Sequence, residues 1–132
     1  DIVQELDAEE VEISHAVILI NINRLYRYGM PQIQLYDATR SSWKVGPRRA
    51  NAEYAFCVYG GIVRAVYRVA AWVPAGSTMM SPTYDHREHE APDRFEFVGK
   101  LAAEDIRRKY VGKSIKQYFA KGAQNPIKYI NC

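Results

Sequence analysis

The segment from Leu35 to Arg49 holds the residue types that a nucleotide pocket requires. Within these fifteen residues stand two aromatic side chains, Tyr36 and Trp43, and four arginine or lysine side chains. Aromatic rings stack on bases, and cations bind the phosphates that join them. The segment therefore predicts contact with a nucleic acid or a nucleotide.

Spacing within this segment groups several of its side chains. Tyr36, Thr39 and Arg40 stand at i, i+3 and i+4, so a helix would place them on one face. Arg40 also stands three residues before Trp43, where its guanidinium can stack on the indole or bind phosphate. Trp43 has a second interpretation as a core residue beneath the helix, and the sequence leaves both open.

Further candidates lie outside the segment. Asn21 and Asn23 end a strand-like run, and their amides can read base edges or, alternatively, cap a turn. Trp72 adds an aromatic ring near the end of a later strand. We expect the aromatic residues to stack a base of RNA or DNA and the arginines to hold phosphate. The predicted nucleic-acid-binding residues are Asn21, Asn23, Tyr36, Thr39, Arg40, Trp43, Arg48, Arg49 and Trp72.

Charge is divided unevenly along the chain, although the net charge is only +3. Residues 1–12 carry −6 and residues 84–96 carry −3, whereas residues 24–68 and 100–128 carry +6 each. Two basic blocks that converge in space would attract phosphate. The alternative is that their arginines and lysines solvate two separate faces.

Catalytic and metal-binding patterns are weak by comparison. No Gly-x-Ser-x-Gly motif or Gly-rich phosphate loop is present, and neither cysteine has a histidine partner evident from the sequence. His86 and His89 form an i, i+3 pair in a polar loop without a third ligand. We therefore predict no catalytic residue, no cofactor and no metal site. The alternative is a small nuclease or base-processing hydrolase that uses Glu53 or His86.

Hydrophobic periodicity predicts strands separated by short helices. Gly60-Gly61 is a strong hairpin signal between two of the strands. The predicted strands are His15–Asn23, Tyr54–Tyr59, Ile62–Trp72, Phe95–Val98 and Ile127–Asn131, and the predicted helices are Pro31–Ser41, Ala102–Tyr110 and Ser114–Ala120.

Alternation along the strand 62–72 predicts an apolar face and a cationic face. The apolar face would hold Val63, Ala65, Tyr67, Val69 and Ala71, and the cationic face would hold Arg64, Arg68 and Trp72. The predicted core consists of Ile18, Ile20, Val63, Val69, Phe95 and Phe97.

These elements predict one α+β domain over residues 1–132, in which residues 1–12 form an acidic arm or a short helix. We expect a small β-barrel of about five to six mostly antiparallel strands with short flanking helices. No apolar run approaches the ~18 residues that span a bilayer, so no membrane association is predicted. Two cysteines do not make a disulfide framework, and a cytoplasmic location is expected.

A resemblance to known domains rests on several runs of residues. They are Ile-Asn-Ile-Asn at 20–23, Leu-Tyr-Asp-Ala-Thr-Arg-Ser-Ser-Trp-Lys-Val at 35–45, Arg-Arg at 48–49, the strand-rich run 52–69, Trp72, Arg-Phe-Glu-Phe-Val-Gly at 94–99 and Gly-Ala-Gln-Asn-Pro-Ile-Lys-Tyr-Ile-Asn at 122–131. With them the chain resembles a family of uncharacterised bacterial domains that are joined to, or found near, GIY-YIG-type nuclease modules. The resemblance covers most of residues 15–131 and implies a nuclease module as a partner.

The order of elements is also similar to that of the PUA-like group, which includes the EVE, ASCH and YTH domains. Those domains are small β-barrels whose members bind RNA or modified bases in an aromatic-lined pocket. This resemblance implies a PUA-like barrel that recognises an unpaired or modified nucleotide. A different class of function, a protein-interaction module whose acidic N-terminus docks on a basic partner, remains as an alternative.

Overall fold

The computed structural model describes residues 8–22, 26–80, 93–119 and 125–132. Several predicted features lie outside these residues: Asn23, His86, His89 and residues 1–7 of the acidic arm. The described part contains five strands, two α-helices and two 3-10 turns.

The five strands and two of the three predicted helices agree closely with the structure, whereas the predicted helix Ser114–Ala120 is shorter and of the 3-10 type over its described residues. The strands are β1 (Val17–Asn21), β2 (Tyr54–Tyr59), β3 (Ile62–Pro74), β4 (Phe95–Leu101) and β5 (Ile127–Ile130), and the helices are α1 (Gln32–Arg40) and α2 (Glu104–Tyr110). The 3-10 turns span Pro47–Asn51 and Lys116–Tyr118. Within the described ranges, no helix has the length and apolar character needed to cross a membrane.

The five strands form one sheet in the order β4-β3-β2-β1-β5. β1 and β2 are parallel, and the other three pairs are antiparallel. A parallel pair needs a crossover connection, and α1 with the first 3-10 turn provides it. The α+β class and the mostly antiparallel sheet are thus confirmed. The described strands leave β4 and β5 as separate edges, so the sheet is open and the predicted barrel is not confirmed.

Each face of the sheet carries its own hydrophobic cluster. On the face that α1 covers, called the α1 face, Ile18, Ile20 and Phe97 pack with Leu35 and Ala38 of the helix. The opposite face, called the α2 face, is covered by α2. Its cluster contains Val17, Leu19, Phe56, Val58, Val63, Val66 and Tyr110. Both faces of β1 are therefore buried, which explains why its sequence is almost continuously apolar.

Two register shifts in β3 overturn the predicted alternation of its faces. Cys57 pairs with Ala65 but Val58 pairs with Val63, so Arg64 is an extra residue in β3. Val69 pairs with Gly99 and Ala71 with Val98, which makes Ala70 a second extra residue.

Each extra residue reverses the alternation of side chains beyond it, as a β-bulge does. The predicted core grouped Val63 with Ile18, and this is wrong: Val63 packs in the α2-face cluster. Trp72 packs against the α1-face cluster and not on the face of Arg68. Phe95 is half-buried at the margin of the sheet, and Phe97 is fully buried as predicted.

Candidate functional site

A pocket lies where β3 outruns its neighbour β2. Arg68 is the last residue of β3 that pairs with β2, but β3 continues to Pro74 with β4 as its strand partner. The 3-10 turn Pro47–Asn51 lies beside this extension, and a pocket of about 600 Å³ separates them. That volume falls within the range of ligand sites in proteins. The lining residues are Pro47, Arg49, Ala50, Ala52, Val69, Ala70, Ala71 and Trp72.

Arg49 supplies the positive charge of the pocket. Its guanidinium carbon lies 3.9 Å from the centre of the Phe95 ring, and Nη1 donates a hydrogen bond to the main-chain oxygen of Gly46 at 3.0 Å. These two contacts fix the plane of the group. Within the described part of the chain its other donors have no acceptor, so they are available to a ligand.

Trp72 supplies the aromatic surface of the pocket. Its ring is half-buried and meets Phe97 edge-on, with 5.4 Å between the ring centres. The indole nitrogen is covered from solvent, and no acceptor among the described residues receives its hydrogen. An unpaired buried donor of this kind costs roughly 1–3 kcal/mol.

Arg48 differs from Arg49 despite being its neighbour and does not line the pocket. Its Nε and Nη2 atoms donate to the main-chain oxygen of Cys132 at 2.8 and 2.5 Å. Its guanidinium carbon lies 4.8 Å from the centre of the Tyr129 ring. The adjacent arginines thus have the same charge but separate surroundings.

Arg40 lies inside the protein, and all three of its nitrogens have acceptors. Nε bonds Asp37 at 2.9 Å, Nη1 bonds Thr78 at 2.6 Å and Glu96 at 3.2 Å, and Nη2 bonds the main-chain oxygen of Met79 at 2.9 Å. The Glu96 carboxylate also accepts from the Thr78 hydroxyl and from the main-chain nitrogen of Gly76. This network holds the segment that follows β3 against α1 and β4, and it leaves Arg40 without an exposed donor.

The other predicted residues of α1 and its C-terminus also have internal partners. Thr39 is fully buried and donates to the main-chain oxygen of Leu35 at 2.7 Å. Trp43 is half-buried, and its indole nitrogen donates to the main-chain oxygen of Thr39 at 2.7 Å. Tyr36 accepts a hydrogen bond from the main-chain nitrogen of Gly99 at 2.9 Å.

Tyr36 lines a second cavity, of about 320 Å³, at the edge of the sheet. This cavity also contacts Ile33, Tyr67 and Leu101 and is mainly apolar. Burial raises the pKa of Tyr67 above its usual value, and the hydroxyl group has no hydrogen-bond partner among the described residues. Lys100 is the one cationic residue among the described residues that line it.

Asn21 is the last residue of β1 and does not line the pocket. Its main-chain nitrogen donates to Pro126 at 2.8 Å, and its side-chain oxygen is covered and unpaired within the described ranges. Of the predicted site residues that the structure describes, only Arg49 and Trp72 line the pocket together.

The two basic blocks meet at more than one place among the described residues. Arg68 of β3 and Lys100 of β4 are register partners. Lys116 lies against Gly61, in the hairpin that leads to Arg64. Several other cations of the blocks are paired with carboxylates: Arg68 lies 3.3 Å from Glu53, Arg108 pairs with Glu104 at 2.6 Å and Lys113 pairs with Glu9 at 3.1 Å.

Sequence reasoning missed the residues that give the pocket its shape. Ala50, Ala52, Ala70 and Ala71 are small and leave room between the turn and the strand. The bulge at Ala70 depends on pairing with β4, for which the sequence carries no local signal. Comparison of the chain with protein-family models, with curated proteins and with solved structures gives no match.

Proposed function

We propose that this protein binds nucleic acid and holds one unpaired or modified nucleotide in the pocket between the 3-10 turn Pro47–Asn51 and β3. The observation that carries the proposal is the meeting of Arg49 and Trp72 on one 600 Å³ pocket. They stand far apart in the sequence, and the sequence predicts both as nucleic-acid-binding residues. An aromatic face and a fixed cation together suit a planar ligand that carries phosphate.

The roles divide between the two residues. The Trp72 ring provides the surface on which a base packs. Arg49 donates to phosphate, because its free donors lie beside the same cavity. Arg40, Thr39 and Trp43 support the fold around the site.

The resemblances fit this proposal without carrying it. A module that grips an unpaired nucleotide would deliver an attached or neighbouring nuclease module to its substrate. The PUA-like architecture remains a prediction from the order of elements, and the pocket does not depend on closure of the sheet into a barrel.

The test compares Arg49→Ala with Arg48→Ala, because the two changes remove equal charge from adjacent residues. The probe is a fluorescein-labelled RNA or DNA hairpin with one unpaired nucleotide, and affinity is measured by fluorescence anisotropy. Arg49→Ala should weaken binding about tenfold or more, as expected for a charge-assisted hydrogen bond. It should also reduce the salt dependence by about one phosphate contact. Arg48→Ala should have a much smaller effect.

Two outcomes would contradict the proposal, and a third would favour its alternative. Equal effects of the two arginine changes would show a general charge effect without a specific site. Absence of binding at low salt would remove nucleic acid as the ligand. Cleavage of the probe during the measurement would favour the nuclease alternative.

A further inference from the structure

Three tyrosines surround Arg64 at the opposite end of the sheet from the pocket. The guanidinium carbon of Arg64 lies 4.9 Å from the ring centre of Tyr26, 5.5 Å from that of Tyr59 and 5.8 Å from that of Tyr28. The rings of Tyr26 and Tyr59 are stacked at 4.8 Å, and Tyr28 meets Tyr26 edge-on at 5.4 Å. We call these three tyrosines with Arg64 the tyrosine platform.

The fold holds the platform in one arrangement. Arg64 donates from Nε and Nη2 to the main-chain oxygen of Tyr59 at 3.2 and 3.0 Å, which fixes the plane of its guanidinium. Arg64 occupies its position because it is the extra residue in the first bulge of β3. The hairpin residues Gly60 and Gly61 have φ of 62° and 75°, a conformation that glycine adopts readily and that makes the tight turn between Tyr59 and Arg64.

One ring of the platform is open to solvent. Tyr28 is 55% exposed, although large apolar surfaces are normally covered. Tyr26 and Tyr59 are half-buried and pack beneath it. An exposed ring on a fixed base of aromatic and guanidinium groups can accept another planar group at little cost in conformational entropy.

The charge around the platform is positive. The two segments that form it, residues 26–30 and 59–64, contain Arg27 and Arg64 and no aspartate or glutamate. The side chain of Lys116 lies against Gly61 of the hairpin. A ligand that combines planar groups with negative charge is complementary to this surface.

The platform also lies where the topology favours a site. β1 and β2 are parallel, and Tyr59 ends β2 while Tyr26 and Tyr28 precede α1 in the connection between them. In open α/β sheets, ligands bind beyond the carboxyl ends of parallel strands, and the β1–α1–β2 unit repeats that arrangement locally. The pocket at Arg49 lies beyond the amino end of β2, so the two surfaces are separate.

We propose that the tyrosine platform is a second binding surface, which stacks the unpaired bases of single-stranded nucleic acid irrespective of their sequence. Tyr28 provides the ring on which a base stacks, and Arg64 extends that surface with its fixed planar face. Arg27 and Lys116 attract the phosphates on either side. Surfaces of this composition bind single strands because every base has an aromatic face. A duplex keeps its bases stacked on one another and cannot use the platform.

The experiment measures binding of a fluorescein-labelled oligouridylate of about twelve nucleotides, a length suited to such surfaces. Tyr28→Ala should weaken its affinity at least about fivefold, the loss of one stacked base. Tyr28→Trp should keep the wild-type affinity, because a larger aromatic face remains. Arg64→Lys should weaken binding although it preserves the charge. With 5-iodouracil in the strand, ultraviolet light should cross-link it to the peptide that contains Tyr28.

Ile33→Ala is the matched control, because Ile33 is 56% exposed and lies outside the platform. It should leave affinity unchanged. The proposal is overturned by an unchanged affinity in Tyr28→Ala, by a loss that Tyr28→Trp fails to restore, or by a duplex that competes as well as the single strand. It does not rest on the pocket: equal behaviour of Arg48→Ala and Arg49→Ala would refute the pocket and leave these results standing.

Discussion

The guanidinium of Arg40 on α1 lies 3.2 Å from the carboxylate of Glu96 on β4, and both side chains are excluded from solvent. Arg40 also bonds Asp37, so one buried cation serves two buried carboxylates. This arrangement joins the helix to the edge of the sheet. It also converts a residue that the sequence marks as a phosphate ligand into a structural one.

Arg40→Ala should therefore destabilise the protein strongly. Removal of one partner from a buried ion pair typically costs about 3–5 kcal/mol, because the remaining charges stay buried without compensation. The control is Arg108→Ala, whose exposed pair with Glu104 is worth about 0.3–0.5 kcal/mol. Urea denaturation measures both free energies of unfolding. A loss in Arg40→Ala no larger than that in Arg108→Ala would contradict the role given to the network.

Phe97 and Val98 offer a direct test of which side of β4 faces the core. Phe97 is fully buried and packs in the α1-face cluster, whereas its neighbour Val98 is 37% exposed. Phe97→Ala should lower the free energy of unfolding by about 3–5 kcal/mol. Val98→Ala should cost less than about 1 kcal/mol, as is usual for surface positions. Similar losses at the two positions would be inconsistent with this register of β4.

Trp43 should affect stability and leave nucleic-acid binding intact. Its indole nitrogen donates to Thr39, and its main chain exchanges two hydrogen bonds with Phe95 at the edge of β4. Trp43→Phe removes the indole hydrogen bond and should cost about 1 kcal/mol. Thermal denaturation and oligonucleotide affinity are measured on the same variant. If the fully folded Trp43→Phe variant bound the oligonucleotide more weakly than the wild type, Trp43 would be part of the binding site and this prediction would be wrong.

Cys57 makes stability depend on alkaline pH. Burial raises the pKa of its thiol from the usual 9.0 to about 12 in the folded protein. Between these values the unfolded chain has lost the proton that the folded chain retains. The contribution of Cys57 to the free energy of unfolding should thus be constant below pH 9 and fall as the pH rises toward 12, by at most about 1.4 kcal/mol per unit.

Comparison with Cys57→Ala isolates this contribution, because Tyr67 titrates in both proteins. At neutral pH the wild type should be the more stable of the two, since alanine leaves a small cavity. The difference in free energy of unfolding between the wild type and Cys57→Ala should become smaller as the pH rises from 9 to 12. Chemical denaturation at several pH values measures it, and a constant difference would rule out the buried, protonated thiol.

Local sequence signals predicted the elements well because their causes are local. The hairpin at Gly60-Gly61 follows from the positive φ that its turn needs. α1 follows from its apolar spacing and from the proline that precedes it. The strand β1 follows from its run of β-branched residues.

The parts that sequence reasoning could not reach depend on distant partners. Arg40 is buried because Glu96, on another strand, receives its charge. Trp72 faces the α1 side because an extra residue, Ala70, fits the register of β4. Tyr26 and Tyr59 become stacked neighbours only when the crossover brings them together. Spacing in the sequence carries no record of these relationships.

The position of β1 between β2 and β5 has a consequence for how the chain reaches its fold. Val17 pairs with Tyr54 on one side and with Ile130 on the other. The pairing of β1 is therefore complete only after residues near the far end of the described chain have folded onto it. Such non-local pairing slows folding. Until β5 docks, the apolar strand Val17–Asn21 presents a bare edge to other chains, and edges of this kind nucleate aggregation. Removal of residues 125–132 should make that exposure permanent, with insoluble protein as the visible result.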